Sequence, residues 1–238
     1  MNKPRLPTGN PSCGVEASAH KEGYVAVLFS GGLDSTLVCR RLLTQKQAVI
    51  PLYVRSGMFW ENAEIQAVNR LVEVMASLGI ATPKHLDVPV ADVYGDHWSL
   101  TGRGVPDEAS DDAEVYLPGR NLFLLAKAAL WCSRQGVRRL AIGVLDGNPF
   151  GDATERFFRL FEQLIACYPG QTIEIVRPLA GMSKADIVRQ LPLELAAATF
   201  SCLQPVEGGH CGQCNKCRER QRAFADAGMP DPTPYHVG

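Results

Sequence analysis

The sequence predicts a doubly wound α/β fold, a parallel sheet covered by helices on both faces, with a small metal-binding module at its C-terminal end. Three observations predict it. Short apolar runs alternate with helical segments from residue 24 to about residue 190. The first run passes directly into a turn with two adjacent glycines, and a helical segment follows. Four cysteines then crowd into the sixteen positions 202–217.

The elements follow in order. Residues 24–29 form a nearly continuous apolar run, as expected for a parallel strand buried on both faces. Residues 35–45 read as a helix and 48–54 as a second strand, to which Pro51 is an objection. Ile65, Val68, Val72 and Met75 recur at three and four residues, so 62–78 is expected as an amphipathic helix ending near Gly79. A short third strand covers 85–88. Residues 89–118, with Gly95, Gly102, Gly104, Pro106 and several acidic residues, read as a long loop, either a lid or a solvated insertion. Helix resumes at 121–135 and strand at 139–143. Phe157, Phe161, Leu164 and Ile165 mark another helix, and 172–176 alternates like a strand. Ser183 with Asp186 has the spacing of a capping box. The division expected is a tail at 1–22, an α/β domain at 23–200 and a metal-binding segment at 201–238.

Bulk properties bound the function. The chain has 238 residues, 46% hydrophobic and 21% charged, with a formal net charge of −1. That length buries a core without disulfides, and that charge gives no global attraction to nucleic acid or anionic membrane. No apolar run reaches the roughly 18 residues of a membrane span. Residues 1–21 lack the apolar centre of a secretory signal, so a cytoplasmic location is expected. Cys13, Cys39, Cys132 and Cys167 are scattered and read as inert thiols.

The segment Ser30-Gly31-Gly32-Leu33-Asp34-Ser35-Thr36, flanked by Phe29 and by Leu37, Val38 and Cys39, sits where a parallel sheet binds ligands, beyond the carboxyl end of a strand. Adjacent glycines let backbone N–H groups approach an anion, and the following helix offers its positive end. Ser30, Ser35 and Thr36 add hydroxyl donors. Asp34 would repel bare phosphate, which points to magnesium nearby. No Gly-Lys-Ser/Thr follows the glycines and no Gly-x-Gly-x-x-Gly is present. The pattern resembles instead the PP-loop of the ATP pyrophosphatase superfamily, which implies ATP binding and activation of a carboxylate or carbonyl oxygen.

Cys202, Cys211, Cys214 and Cys217 have the spacing C-x8-C-x2-C-x2-C. Four thiolates with no spare ligand describe a structural zinc site; an iron–sulfur cluster fits the same ligand set. His210 could substitute for a ligand or support one. Lys216, Arg218, Arg220 and Arg222 read as a solvated helix face, with contact to the metal centre, ATP phosphates or RNA as the alternatives.

A PP-loop and this cysteine motif in one chain, with Leu100-Thr101-Gly102, Tyr116-Leu117-Pro118-Gly119-Arg120-Asn121 and Ser201-Cys202, resemble the 7-cyano-7-deazaguanine synthase (QueC) family over most of residues 24 to 225. The resemblance implies a ligase of the queuosine precursor pathway that converts 7-carboxy-7-deazaguanine to the nitrile with ammonia and ATP. It places ATP on Phe29 to Cys39 and zinc on Cys202, Cys211, Cys214 and Cys217. Asp34, Ser35, Arg120 and Lys184 are the candidate catalytic residues. Arg120 could pair with a carboxylate or phosphate, and Lys184 could contact phosphate. Trp60 and Phe150 could stack on a flat heterocycle and Asp152 could bond a guanine-like edge. Two segments depart from the family pattern: Arg55-Ser56-Gly57-Met58-Phe59-Trp60-Glu61, and residues 147–153. A related ligase or thiolase on another acceptor, and a zinc-containing RNA-binding protein, are the competing readings. A nucleic-acid partner is not expected; a homodimer is compatible with the sequence.

Overall fold

The computed structural model describes residues 23–145, 148–168 and 171–236. The expected tail, with Cys13, and Gly147 lie outside the described residues. Five strands, β1 Tyr24–Leu28, β2 Ala48–Arg55, β3 Lys84–Asp87, β4 Arg139–Ala141 and β5 Glu174–Val176, form one sheet in the order β3-β2-β1-β4-β5. All four pairings are parallel. The order reverses between β1 and β4, and that switch point opens a crevice beyond the strands' carboxyl ends.

The alternation of each strand divides the core. Val25, Val27 and Phe29 pack with α1 Leu33–Thr44, α2 Glu61–Val74, α7 Lys184–Gln190, α8 Leu193–Ala198 and α9 Asn215–Ala227. Ala26 and Leu28 face the other way, toward α5 Arg120–Gln135 and α6 Glu155–Ala166. Every β1 residue after Tyr24 is buried, which explains the absence of polar residues there. The sheet is therefore doubly wound, as its sequence pattern predicts.

Pro51 lies inside β2, opposite Val27. The Leu52 carbonyl accepts the Phe29 N–H at 2.8 Å, so Leu52 turns its polar groups toward β1 and Pro51 turns its nitrogen toward β3. Pairing with β3 begins only at Leu52 with Lys84. The missing N–H thus falls just before the ladder that would need it.

The 89–118 stretch is not a bare loop. It carries α3 Ala91–Tyr94, α4 Trp98–Thr101 and a 3-10 turn at Asp112–Val115 closed by a capping box from Asp111 and Glu114. Val90, Val115 and Leu117 are buried in a third apolar cluster with Met58, Trp60 and the four cysteines. Its fastening to the metal segment is also polar. The Asn215 N–H donates to the Pro106 carbonyl at 3.0 Å, and Arg218 pairs with Asp112 at 3.3 Å. The solvated-insertion reading is therefore wrong. Single-turn helices are too short to leave a periodic signal.

Candidate active site and metal centre

The crevice is built around the turn between β1 and α1. Gly31 adopts φ +80°, and a side chain there would meet Val68 at 3.2 Å. The Gly31 carbonyl accepts the Phe200 N–H at 2.9 Å, tying the turn to the chain just before the first clustered cysteine. The helix's first bond in this turn runs from Thr36 N–H to the Gly32 carbonyl at 3.1 Å, leaving the preceding amides of Leu33, Asp34 and Ser35 without intrahelical acceptors. Ser35 Oγ lies 3.4 Å from Ser30 Oγ and donates to the Gly32 carbonyl at 3.2 Å. Gly143, just past β4, completes the crook: a Cβ there would lie 3.1 Å from the Asp34 backbone.

Two cavities meet at this turn. The larger, about 300 Å³, runs over the sheet ends and is lined by Ser56, Glu61, Asn148, Phe150 and Asp152 among others. The second, about 240 Å³, extends toward the cysteines past Lys184, Ser201, Cys202 and Glu219. Ser30, Gly32, Asp34, Glu64, Arg120 and Lys216 border both, so the two are chambers of one cleft.

Charge in the cleft is arranged in alternation. Lys184 Nζ donates to Asp34 Oδ2 at 2.6 Å and lies 3.4 Å from Glu219; Lys216 donates to Glu219 at 2.5 Å. Burial opposes the Lys184 charge, but Asp34 and Glu219 outweigh it and raise its pKa. Burial likewise works against the Glu219 carboxylate, and Lys184 and Lys216 overcome it, pushing its pKa down to about 2. Asp34 Oδ1 is buried and has no hydrogen-bond partner. Such an orphaned carboxylate oxygen beside a turn with unpaired backbone amides suits a hard cation.

Around the larger chamber, Glu61 accepts the Ser56 and Gly57 N–H groups at 2.9 and 2.8 Å and pairs with Arg55 at 3.1 Å, fixing the 55–61 segment. Asp152 accepts the Asn121 N–H at 3.1 Å, which anchors the first turn of α5. Phe150 stacks on Tyr116 with ring centroids 4.7 Å apart. Trp60 is buried instead against Trp98, beneath the Arg120 guanidinium at 5.7 Å.

The four clustered cysteines are buried and unbridged, and their sulfurs all lie within 4.8 Å of one another. Measured edges are 3.5, 3.8 and 3.9 Å. Metal–sulfur bonds of about 2.3 Å in a tetrahedron give edges of about 3.8 Å. Backbone N–H groups of Leu203, Gln204, Cys211 and Gln213 point at the sulfurs at 3.3 to 3.4 Å. The cluster could hold one metal ion. His210 is not among the grouped ligands: its Nε2 accepts the Ser201 N–H at 3.2 Å, and burial together with Arg220 lowers its pKa to about 3.

A family model described as queuosine biosynthesis protein QueC matches residues 24–228. The chain belongs to the QueC family. It is 37% identical over 224 residues to 7-cyano-7-deazaguanine synthase of Xanthomonas oryzae pv. oryzae strain PXO99A, covering 89% of this chain and 97% of that protein. The synthase of Xanthomonas axonopodis pv. citri strain 306 matches at the same identity and coverage. A solved 4-thiouridine synthetase in complex with RNA and bound ATP aligns with 71% of this chain and 40% of its own, at 19% identity and a TM-score of 0.45.

Within this QueC chain, the residues singled out from sequence converge. Asp34, Ser35, Arg120 and Lys184 all border the cleft. Leu37, Val38 and Cys39, carried over with the ATP-binding stretch, are instead core residues of α1 that support the turn from behind. Arg220 is buried, donating to the Thr199 hydroxyl at 2.8 Å and the Ala196 carbonyl at 2.7 Å, so the solvated-face reading holds for Arg222 alone of the four cations. Glu64 and Glu219 were missed as site residues, and Lys216, read mainly as part of a solvated face with ATP phosphates as an alternative, borders both chambers. Glu64 had a signal: it extends the buried stripe of Val68, Leu71 and Met75, putting a carboxylate where an apolar residue is expected. Among the described residues no helix is long and apolar enough to cross a membrane.

Proposed function

We propose that this chain is an ATP-dependent carbon–nitrogen ligase that converts 7-carboxy-7-deazaguanine and ammonia to 7-cyano-7-deazaguanine. The observation that carries the reading is the two-chambered cleft, with Asp34 and Arg120 at the junction, in a chain 37% identical to proteins of that name. The phosphate crook belongs to one wall, and the larger chamber has the size of a small-molecule site.

In this reading the Leu33, Asp34 and Ser35 amides and the Ser30 and Ser35 hydroxyls hold ATP phosphates at the helix's positive end. Asp34 Oδ1 would hold magnesium, which would spread the negative charge developing on phosphoryl oxygen. Lys184 holds the Asp34 side chain in place through its 2.6 Å contact with Oδ2. Arg120 orients the acceptor's carboxylate. Carboxylate and amide oxygens are poor leaving groups. Attack of the carboxylate on a phosphorus of ATP breaks the P–O bond to the remainder of the triphosphate, which departs, and makes the carboxylate oxygen a good leaving group that ammonia displaces to give the amide. Activation of the amide oxygen in the same way permits its loss to the nitrile. Cys202, Cys211, Cys214 and Cys217 would hold zinc, whose contribution is to folding.

A second reading, a different carboxylate acceptor, draws on the larger chamber. Ser56, Met58, Asn148 and Phe150, from the two segments that depart from the family pattern, line it. The test incubates the protein with ATP, magnesium and ammonium, with and without the deazaguanine acid, and follows nucleotide products and acceptor mass. Nitrile formation with acid-dependent ATP consumption is expected. Turnover only with another acid would establish the second reading, and RNA binding without turnover would overturn both.

A further inference from the structure

Among the carboxylates of the cleft, Glu64 alone besides Asp34 borders both chambers, and it has no role in the scheme above. Glu64 lies on the first turn of α2, half-buried, and borders both chambers. Its Oε2 accepts the Tyr53 hydroxyl at 2.8 Å. The charged groups facing it are Arg120 from α5 and Glu61 on its own helix, with Tyr53 the titratable group from β2. Unlike Asp34 and Glu219, it has no Lys or Arg within ion-pairing distance among the described residues. It is held in place, yet its charge is not neutralised by a direct partner.

The proposed reaction leaves a proton unaccounted for. Near neutral pH the nitrogen donor is ammonium, which has no lone pair to offer. We propose that Glu64 is the ammonium-binding residue and general base of the amide-forming step, a reading that rests on the proposed ligase activity. The Glu64 carboxylate takes one proton from ammonium, freeing the nitrogen lone pair. That pair forms the C–N bond at the activated carbonyl carbon. The C–O bond to the activating group breaks, its electron pair leaving on the phosphate oxygen, which accepts the second nitrogen proton. The second activation consumes no ammonia, and the two N–H protons lost in forming the nitrile pass to the departing phosphoryl oxygen and to solvent. Burial raises the Glu64 carboxyl against the opposing pull of Arg120 and the Tyr53 hydrogen bond, which favours proton acceptance.

Glu64→Gln keeps an acceptor for Tyr53 and loses the base. The experiment compares ammonium with hydroxylamine, a nucleophile that is neutral near pH 7 and needs no deprotonation. The expected loss with ammonium is at least about 10²-fold, partly recovered as pH rises and free ammonia accumulates. Hydroxamate formation with hydroxylamine stays within a few-fold of wild type. Equal loss with both nucleophiles would overturn the proposal and leave Glu64 as a positioning residue for Arg120; wild-type rates with ammonium would overturn it outright. ATP binding by the variant verifies that it folds, and Glu64→Asp, which retains a base, is expected to restore part of the ammonium rate. If wild-type protein shows no acid-dependent turnover with either nucleophile, the ligase reading itself has failed.

Discussion

Gly143→Ala adds one methyl group where the chain leaving β4 meets the turn between β1 and α1. Gly143 is not among the glycines with positive φ, so backbone strain does not explain the residue; proximity does. A Cβ would stand 3.1 Å from both the Asp34 carbonyl carbon and its Cβ, and 3.2 Å from the Ser35 nitrogen, where ordinary contact begins at 3.4 Å. The atoms that must give way are mostly backbone, in the first turn of a helix whose other side is packed against the core through Leu37 and Val38. Overpacking of this kind costs about 1–3 kcal/mol, or roughly 2–12 °C of melting temperature at this chain length. The displacement of a few tenths of an ångström falls on the amides proposed to hold phosphate. ATP affinity should therefore drop further than stability alone explains, by about tenfold if one charge-assisted hydrogen bond of about 1.5 kcal/mol is lost. Differential scanning calorimetry and equilibrium nucleotide binding read the two effects separately. A variant with wild-type melting and wild-type ATP affinity would refute the argument that close approach of β4 sets the turn's geometry.

Three further outcomes are expected. Asp34→Ala should reduce turnover by at least about 10²-fold while circular dichroism remains native; wild-type rates would remove Asp34 from the mechanism. Cys214→Ala should lose bound metal by elemental analysis and melt on the order of 10 °C lower, several kcal/mol at 2–4 °C each, and a stable metal-free protein would show that the cluster is not structural. Glu219 makes the fold acid-sensitive: its folded pKa of about 2 lies below the ordinary 4.5, so its stabilisation is complete above about 4.5 and is lost as pH falls toward 2. That gap is worth roughly 3 kcal/mol, and Glu219→Gln should flatten the acid limb of a urea-denaturation series by about that amount.

The features legible in the sequence are those set by neighbours along the chain. The strand, glycine turn and helix at 24–44 could be read directly, because an apolar strand buried on both faces, a φ-positive glycine and a helix start are local requirements. The cysteine spacing was legible for the same reason. So was the capping box at Ser183 and Asp186, present with both of its hydrogen bonds. Tertiary structure decided the rest. Lys184 meets Asp34 across 150 positions of chain, and Asn215 meets Pro106 across more than a hundred; no periodicity encodes such pairs. Arg220 shares a helix with Arg222, yet one is buried and the other exposed, because only the position of α9 against α7 and α8 determines which face is covered. The sequence by itself determined which chemical groups are present and which backbone shapes they favour. Only folding determined which of those groups share the cleft, where one carboxylate pairs directly with a lysine and another, Glu64, holds the Tyr53 hydroxyl and faces Arg120 without a direct ion pair.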